Sequence, residues 1–165
     1  MNMPQLEFED VYAEHKGNVW KLVSRYVFTR EDREDLFQEV FINIHKALPR
    51  FRGDSAVGTW IYRIAANSAV NHLKKRDRHR KAVQVLSTLR IIETEAPAVT
   101  DGTLLEKPLA RLNPRQTMVV MLSDVEERKL DEIAQILSLP LGTVKSTLHR
   151  AREILKKELI SHDRL

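Results

Sequence analysis

The sequence predicts an all-α protein made of two small helical domains joined by a flexible linker. Five glycines and six prolines are spread thinly over 165 residues. Apolar residues recur at three-and-four spacing over long stretches, the signature of helices with one buried face. Between about residues 82 and 103 that pattern decays into small and turn-forming residues, with Pro97, Asp101 and Gly102. The expected division is therefore 1–81, a linker 82–103 carrying at most one helical turn, and 104–165.

The first helix is expected from near Phe8 to about Phe28, burying Val11, Val19, Leu22, Val23 and Tyr26. His15 lies on the same face with no second ligand at a useful spacing, so it reads as a structural histidine. Thr29 is placed to cap the next helix, with Asp32 at the third helical position and Glu31, Glu34 and Asp35 near the positive helix end. That helix runs to Leu48, before Pro49, with Leu36, Phe37, Val40, Phe41 and Ile44 as its apolar stripe. Its carboxylates admit a metal-dependent nuclease as an alternative. Two-metal sites draw carboxylates from several elements, however, and one helix does not provide that.

A polar loop holding Gly53 and Gly58 leads into a third helix, from Ala56 or Val57 to about Arg80. Arg63, Asn67, Asn71, Lys74 and Arg78 fall near one line on its outer face. Asparagine is a poor interior helix former. Two at i, i+4 are either tolerated solvent-facing residues or amides that read a base edge, since each carries donors and acceptors. Trp60 is expected in the core, with a DNA-opening wedge as the alternative.

Beyond the linker, Pro108 limits a first helix to a short piece, and Asn113-Pro114 starts another that buries Met118, Val119, Met121 and Leu122. From Leu130 to Leu159 a short helix packed on Ile133, Ala134 and Leu137 leads through the turn SLPLG to a longer, basic one. The longer helix packs on Val144, Leu148, Ala151 and Leu155. This reads as a helix-turn-helix, with a plain helical hairpin as the alternative.

Charge points to the partner. Residues 46–90 hold eleven Lys and Arg against two Asp and Glu, while residues 1–45 hold five against nine. Residues 91–135 again hold five against nine, and 136–165 hold six against three. Two basic zones set between acidic ones, in a chain with a pI near 9.4, suggest contact with a polyanion at two places. With no cysteine, disulfides and thiolate metal sites are excluded, and a reducing interior is allowed. The N-terminal stretch does not read as a secretory signal, and no run approaches the roughly 18 apolar residues that span a bilayer.

Two stretches, DLFQEVFINIHKALPRFRGDSAVGTWIYRIAANSAVNHLKKR and EIAQILSLPLGTVKSTLHRAREIL, resemble in that order the bacterial sigma factors of the extracytoplasmic-function (ECF, group IV) division of the sigma-70 family. The resemblance covers nearly the whole chain. It implies a region 2 bundle and a C-terminal helix-turn-helix region 4, without the large central regions of housekeeping relatives. It implies no enzymatic activity and no cofactor. The implied partners are core RNA polymerase (clamp helices and flap), promoter DNA as duplex and single strand, and an anti-sigma factor, often membrane-bound. The chain itself would be cytoplasmic, with no direct membrane insertion.

By position, Asp35, Leu36, Gln38, Glu39, Phe41 and Ile42 match the family's polymerase-binding helix. Phe51, Arg52, Gly53, Asp54 and Ser55 match the loop that shapes a pocket for a flipped-out base. Arg63, Asn67, Asn71, Lys74 and Lys75 complete the implied minus-ten surface. Thr143, Lys145, Ser146, His149, Arg150 and Arg152 make the implied minus-thirty-five surface, with Arg152 on phosphate or packed.

Three departures matter. Housekeeping members carry two adjacent tryptophans where this chain has Trp60 and Ile61, which implies weaker strand opening and a stricter demand for a good promoter. Ser138 stands in the turn where relatives usually place glycine. VEERKL lacks the glycine often found before the helix-turn-helix.

Overall fold

The computed structural model describes residues 6–88 and 106–162, and among these every regular element is helical. The chain divides into two compact units, Met1–Ala69 and Val70–Leu165.

In the first unit, α1 (Phe8–Tyr26) and α2 (Arg30–Ala47) pack against each other, and α3 (Val57–Thr88) begins there. The core is Val11, Val19, Leu22, Val23 and Tyr26 of α1, Leu36, Val40, Phe41 and Ile44 of α2, and Ile61, Ala65, Ala66 and Ala69 of α3. α1 ends two residues earlier than expected, because Val27 turns extended and is buried itself. The carbonyls of Val27 and Phe28 are taken by the Arg33 guanidinium, at 3.2 and 2.9 Å. Thr29 caps α2 as expected: its hydroxyl oxygen accepts from the Asp32 amide at 3.1 Å and the hydroxyl donates to the Asp32 carboxylate at 2.6 Å. Asn43, expected on an outer face of α2, donates to the hydroxyl of buried Ser68 at 3.0 Å and so ties α2 to α3. α2 stops one residue before Leu48, where Pro49 sits in a single 3-10 turn (Leu48–Arg50).

α3 outruns the expected end at Arg80 and continues to Thr88, through the first seven residues of the expected linker. No proline or further glycine interrupts it there. Asp77 accepts from Arg80 and Lys81, each at 2.8 Å, one turn further on. Such i, i+3 and i, i+4 pairs favour continuation of the helix, and Arg80 also donates to the Ala110 carbonyl at 3.0 Å. The rest of the expected linker lies outside the described residues, as do Leu104 and Leu105. The boundary between the compact units falls inside α3.

The second unit holds α4 (Glu106–Leu109), α5 (Pro114–Val120), α6 (Leu130–Leu137) and α7 (Leu141–His162). Asn113 and Gln116 exchange side chain-to-backbone bonds of 2.9 and 3.0 Å, a capping box with Pro114 at the first helical position. α5 runs on into a π-turn, Met121–Val125, and buries Met118, Val119, Met121 and Leu122 as expected. Both α5 and α6 pack on α7 through Ile133, Val144, Leu148 and Ala151. Within α6 the buried residues are Ile133 and Ile136, with Ala134 and Leu137 half-buried.

α6 ends in a left-handed residue, Ser138 at φ 53°. The Leu139 amide reaches back to the Ala134 carbonyl at 2.9 Å, and the Ser138 amide to that of Gln135 at 3.4 Å. This is the Schellman arrangement, normally closed by glycine. Pro140 then accepts from the amides of Thr143 and Val144, starting α7. The tight turn between α6 and α7 is thus the expected helix-turn-helix.

Candidate nucleic-acid interface

The loop before α3 is built to stand open. Its 3-10 turn ends with the Phe51 amide on the Leu48 carbonyl at 3.0 Å. Arg52, Gly53 and Asp54 are exposed, and Ser55 is half-buried. Gly53 takes φ 74°, where a side chain would be strained. The Phe51 ring lies 4.8 Å from that of Trp60, inclined at 44°. Trp60 is therefore not a core residue: it is half-buried, and its neighbour in the loop is Phe51.

From this end α3 presents Arg63, Asn67, Asn71, Lys74 and Lys75 in exposed positions. The Asn67 amide nitrogen donates to the Arg63 carbonyl one turn back, at 2.8 Å, which fixes the side chain along the helix. Further along, Asp77 is held below the usual carboxylate range, first by its bond from Lys81, with Arg80 adding to the effect. Two of the basic residues at that end are thus partly neutralised, whereas the Lys74–Lys75 pair precedes the carboxylate.

On α7, Lys145, Ser146, His149 and Arg150 are exposed and Thr143 is half-buried. The Ser146 hydroxyl donates to the Thr143 carbonyl at 3.1 Å. Arg152, expected on phosphate or packed, is packed. Its guanidinium grips Asp124 of the π-turn with two bonds, Nε to Oδ2 at 3.1 Å and Nη2 to Oδ1 at 2.5 Å. The pair pulls the Asp124 carboxyl below its usual range and raises Arg152. A fork-to-carboxylate bond of this geometry orients both partners, so Arg152 fastens α7 to the π-turn.

The six positions matched to polymerase binding separate by depth. Asp35, Gln38 and Ile42 are exposed, Ile42 to 52%, and Glu39 is half-buried. Leu36 and Phe41 are in the core, because they fall on the α2 face that packs against α1. Leu36 is fully buried, whereas Phe41, 5% exposed, still lines a groove beside this surface. Beside it lies an aromatic cluster of Tyr12, Trp20, Phe37 and Phe41. Tyr12 and Phe41 approach edge-to-face at 4.7 Å, Phe37 lies 5.0 Å from Phe41, and Trp20 lies 5.5 Å from Phe37. Tyr12 and Trp20 remain more than a third exposed, and Tyr12, Phe37 and Phe41 line, with Gln38 and Ile42, that groove of about 420 Å³.

Among the described residues, no group of three or more His, Cys, Asp and Glu side chains converges to hold a metal. No described helix is long and apolar enough to cross a membrane.

Comparison with known proteins agrees with this geometry. Residues 11–79 match the family model described as Sigma-70 region 2, and residues 104–155 match Sigma-70, region 4. The chain is 31% identical to the RNA polymerase sigma-H factor of Pseudomonas aeruginosa, covering 92% of this chain and 86% of that protein. It is 32% identical to the ECF RNA polymerase sigma-E factor of Escherichia coli, covering 94% and 87%. Among solved structures, the sigma factor RpoE in complex with the anti-sigma factor NepR from Bartonella quintana is similar with a TM-score of 0.59. It is 19% identical, covers 92% of this chain and 96% of that one, and supports the fold.

The chain belongs to the sigma-70 family, among its ECF sigma factors. It is a transcription initiation factor that gives RNA polymerase its promoter specificity, and not an enzyme.

Proposed function

We propose that residues 1–81 form the part that joins core RNA polymerase and opens the minus-ten element, and that residues 104–165 read the minus-thirty-five element. The segment between them, shortened at its start by α3, serves as the linker. In this reading polymerase meets Asp35, Gln38 and Ile42 on α2, with the aromatic groove beside them. The loop Phe51–Ser55 takes a base extruded from the non-template strand, and Arg63, Asn67 and Asn71 read and hold the strand along α3. Capture of an unstacked base suits a polar pocket beside a cationic track. Lys74 and Lys75 anchor phosphate. Lys145, Ser146, His149 and Arg150, preceded by Thr143, enter the major groove of the upstream element.

The observation that carries this reading is the single helix α3, on which an open glycine loop, two exposed asparagines and a lysine pair follow one another in order. The likeness to a sigma factor solved with its anti-sigma factor supports control by such a partner. The protein would work in the cytoplasm, meeting a membrane only through an anti-sigma factor anchored there.

The experiment is transcription in vitro with purified core polymerase on genomic templates. Initiation that depends on this chain, with start sites sharing two upstream boxes, supports the reading. Absence of initiation from every template overturns it.

A further inference from the structure

The second compact unit takes in the later half of α3 as well as α4 to α7. From Leu73 to Val85 in that half, Leu73, Asp77 and Val83 are half-buried and the other residues are exposed. These three and Arg80 lie on one side of the helix, at successive turns. From that side Arg80 reaches α4. Its guanidinium donates from Nη2 to Asp77 Oδ1 at 2.8 Å and from Nη1 to the Ala110 carbonyl at 3.0 Å.

Ala110 follows the last residue of α4, where a helix leaves carbonyls without a partner in its own ladder. The Arg111 amide closes on the Pro108 carbonyl and the Leu112 amide on that of Leu109, so both of these are met within the turn. The Ala110 carbonyl is met instead by a residue 30 positions away. Arginine suits this task, because its donors can take the last carbonyls of a helix. Asp77 fixes the direction of the fork, and its carboxyl is held below the usual range first by the bond from Lys81 and then by that from Arg80. α4 in turn packs on α7.

We propose that Arg80 is a clasp: in the free protein it holds the α4 turn, and through it the helix-turn-helix, against the later half of α3, and it lets go when phosphate takes its donors. A charge-assisted bond to phosphate is roughly twice as strong as one to a neutral carbonyl. Arg80 lies about 9 Å along α3 from Lys74, near enough to meet a polyanion seated on the lysine pair. This release step rests on the reading of Lys74 and Lys75 as phosphate anchors.

The chain has no cysteine, so Gln84→Cys on α3 and Arg115→Cys on α5, both exposed, give two spin-label sites in the full chain. Double electron–electron resonance then reads the separation of the labels. The labelled protein is expected to show one dominant short-distance population. Arg80→Ala in this background is expected to lower the ratio of short to longer distances about 3- to 10-fold, the worth of one exposed charge-assisted hydrogen bond. Alanine is the best helix former and the Asp77–Lys81 pair remains, so far-UV circular dichroism should show α3 intact. An Arg80→Ala distribution equal to that of the parent overturns the clasp. A mixed-sequence duplex of ~30 base pairs, added at low salt, is expected to lower the ratio in the parent and change it little in Arg80→Ala. Duplex that binds without moving the parent distribution overturns release by phosphate. If either arm fails while transcription in vitro still initiates, the clasp falls and the promoter reading stands. If no duplex binds and no template initiates, the promoter reading falls as well.

Discussion

The rings of Phe51 and Trp60 lie 4.8 Å apart, so the one tryptophan at the start of α3 leans on the loop that precedes it. An aromatic pair of this kind is worth about 0.5–1.5 kcal/mol beyond the area it buries. Here that energy restrains the direction of a loop with few other ties. Trp60→Ala should therefore lower the yield of open complexes, measured by permanganate reactivity of unpaired thymines, while shifting the thermal midpoint only slightly. Trp60→Phe, which keeps a ring against Phe51, should retain most of the opening. Loss of opening with both variants alike would mean that the indole itself meets DNA.

Asn67 is exposed, and its amide nitrogen is tied to the Arg63 carbonyl. Asn67→Ala removes the side chain without disturbing the core. It should reduce opening and leave affinity for core polymerase unchanged in a pull-down titration. Equal loss of both would assign Asn67 a structural part in the first unit.

Arg150 and Arg152 sit two residues apart on α7 and should behave in opposite ways. Arg150→Ala should weaken binding to the upstream element by about 1–3 kcal/mol, the worth of one bidentate base contact, and leave folding alone. Arg152→Ala should cost the second unit about 0.5–1 kcal/mol of stability, a modest figure because the pair with Asp124 is partly exposed. The stability cost is also pH-dependent. The folded-state pKa of Asp124 is depressed, so its contribution is complete above the unfolded carboxylate value near 4 and is lost as pH falls through the lower folded value. Denaturant midpoints of wild type and Arg152→Ala should converge at that acidic end.

Ser138 and Glu127 both hold positive φ, at 53° and 54°. A left-handed residue with a Cβ costs roughly 1–2 kcal/mol, and glycine returns part of that gain by loosening the unfolded chain. Ser138→Gly and Glu127→Gly should each raise stability by about 0.5–1 kcal/mol in urea unfolding. By the same argument Gly53→Ala, at φ 74°, should lose about 1 kcal/mol and impair the loop.

What could be read ahead of the structure was what depends on near neighbours. The Thr29 and Asn113 caps, the buried stripe of α5 and the turn between α6 and α7 all follow from residues within four positions of one another. The partner that packs Arg152 was not legible, because Asp124 is 28 residues away and no helical period records a bond across that distance. Leu36 and Phe41 were grouped with exposed Gln38 and Ile42 because a motif match lists positions, not depth. The face turned to α1 decides depth. The length of α3 was underestimated because a falling apolar signal was taken for a helix end, although Asp77, Arg80 and Lys81 supply a brace that does not depend on burial.

The unbroken course of α3 has a consequence for how this protein can change over time. Its 32 residues rise about 48 Å, and each added residue turns everything beyond it by about 100°. Arg63, Asn67, Asn71 and Lys74 keep a common bearing only while the count between them is preserved. Substitutions along this rod alter one contact at a time. A single insertion between Asn71 and Lys74 would instead swing the lysines off the asparagine line. On the proposed reading, promoter preference can drift by exchange of side chains, whereas the phase of the helix admits no small steps.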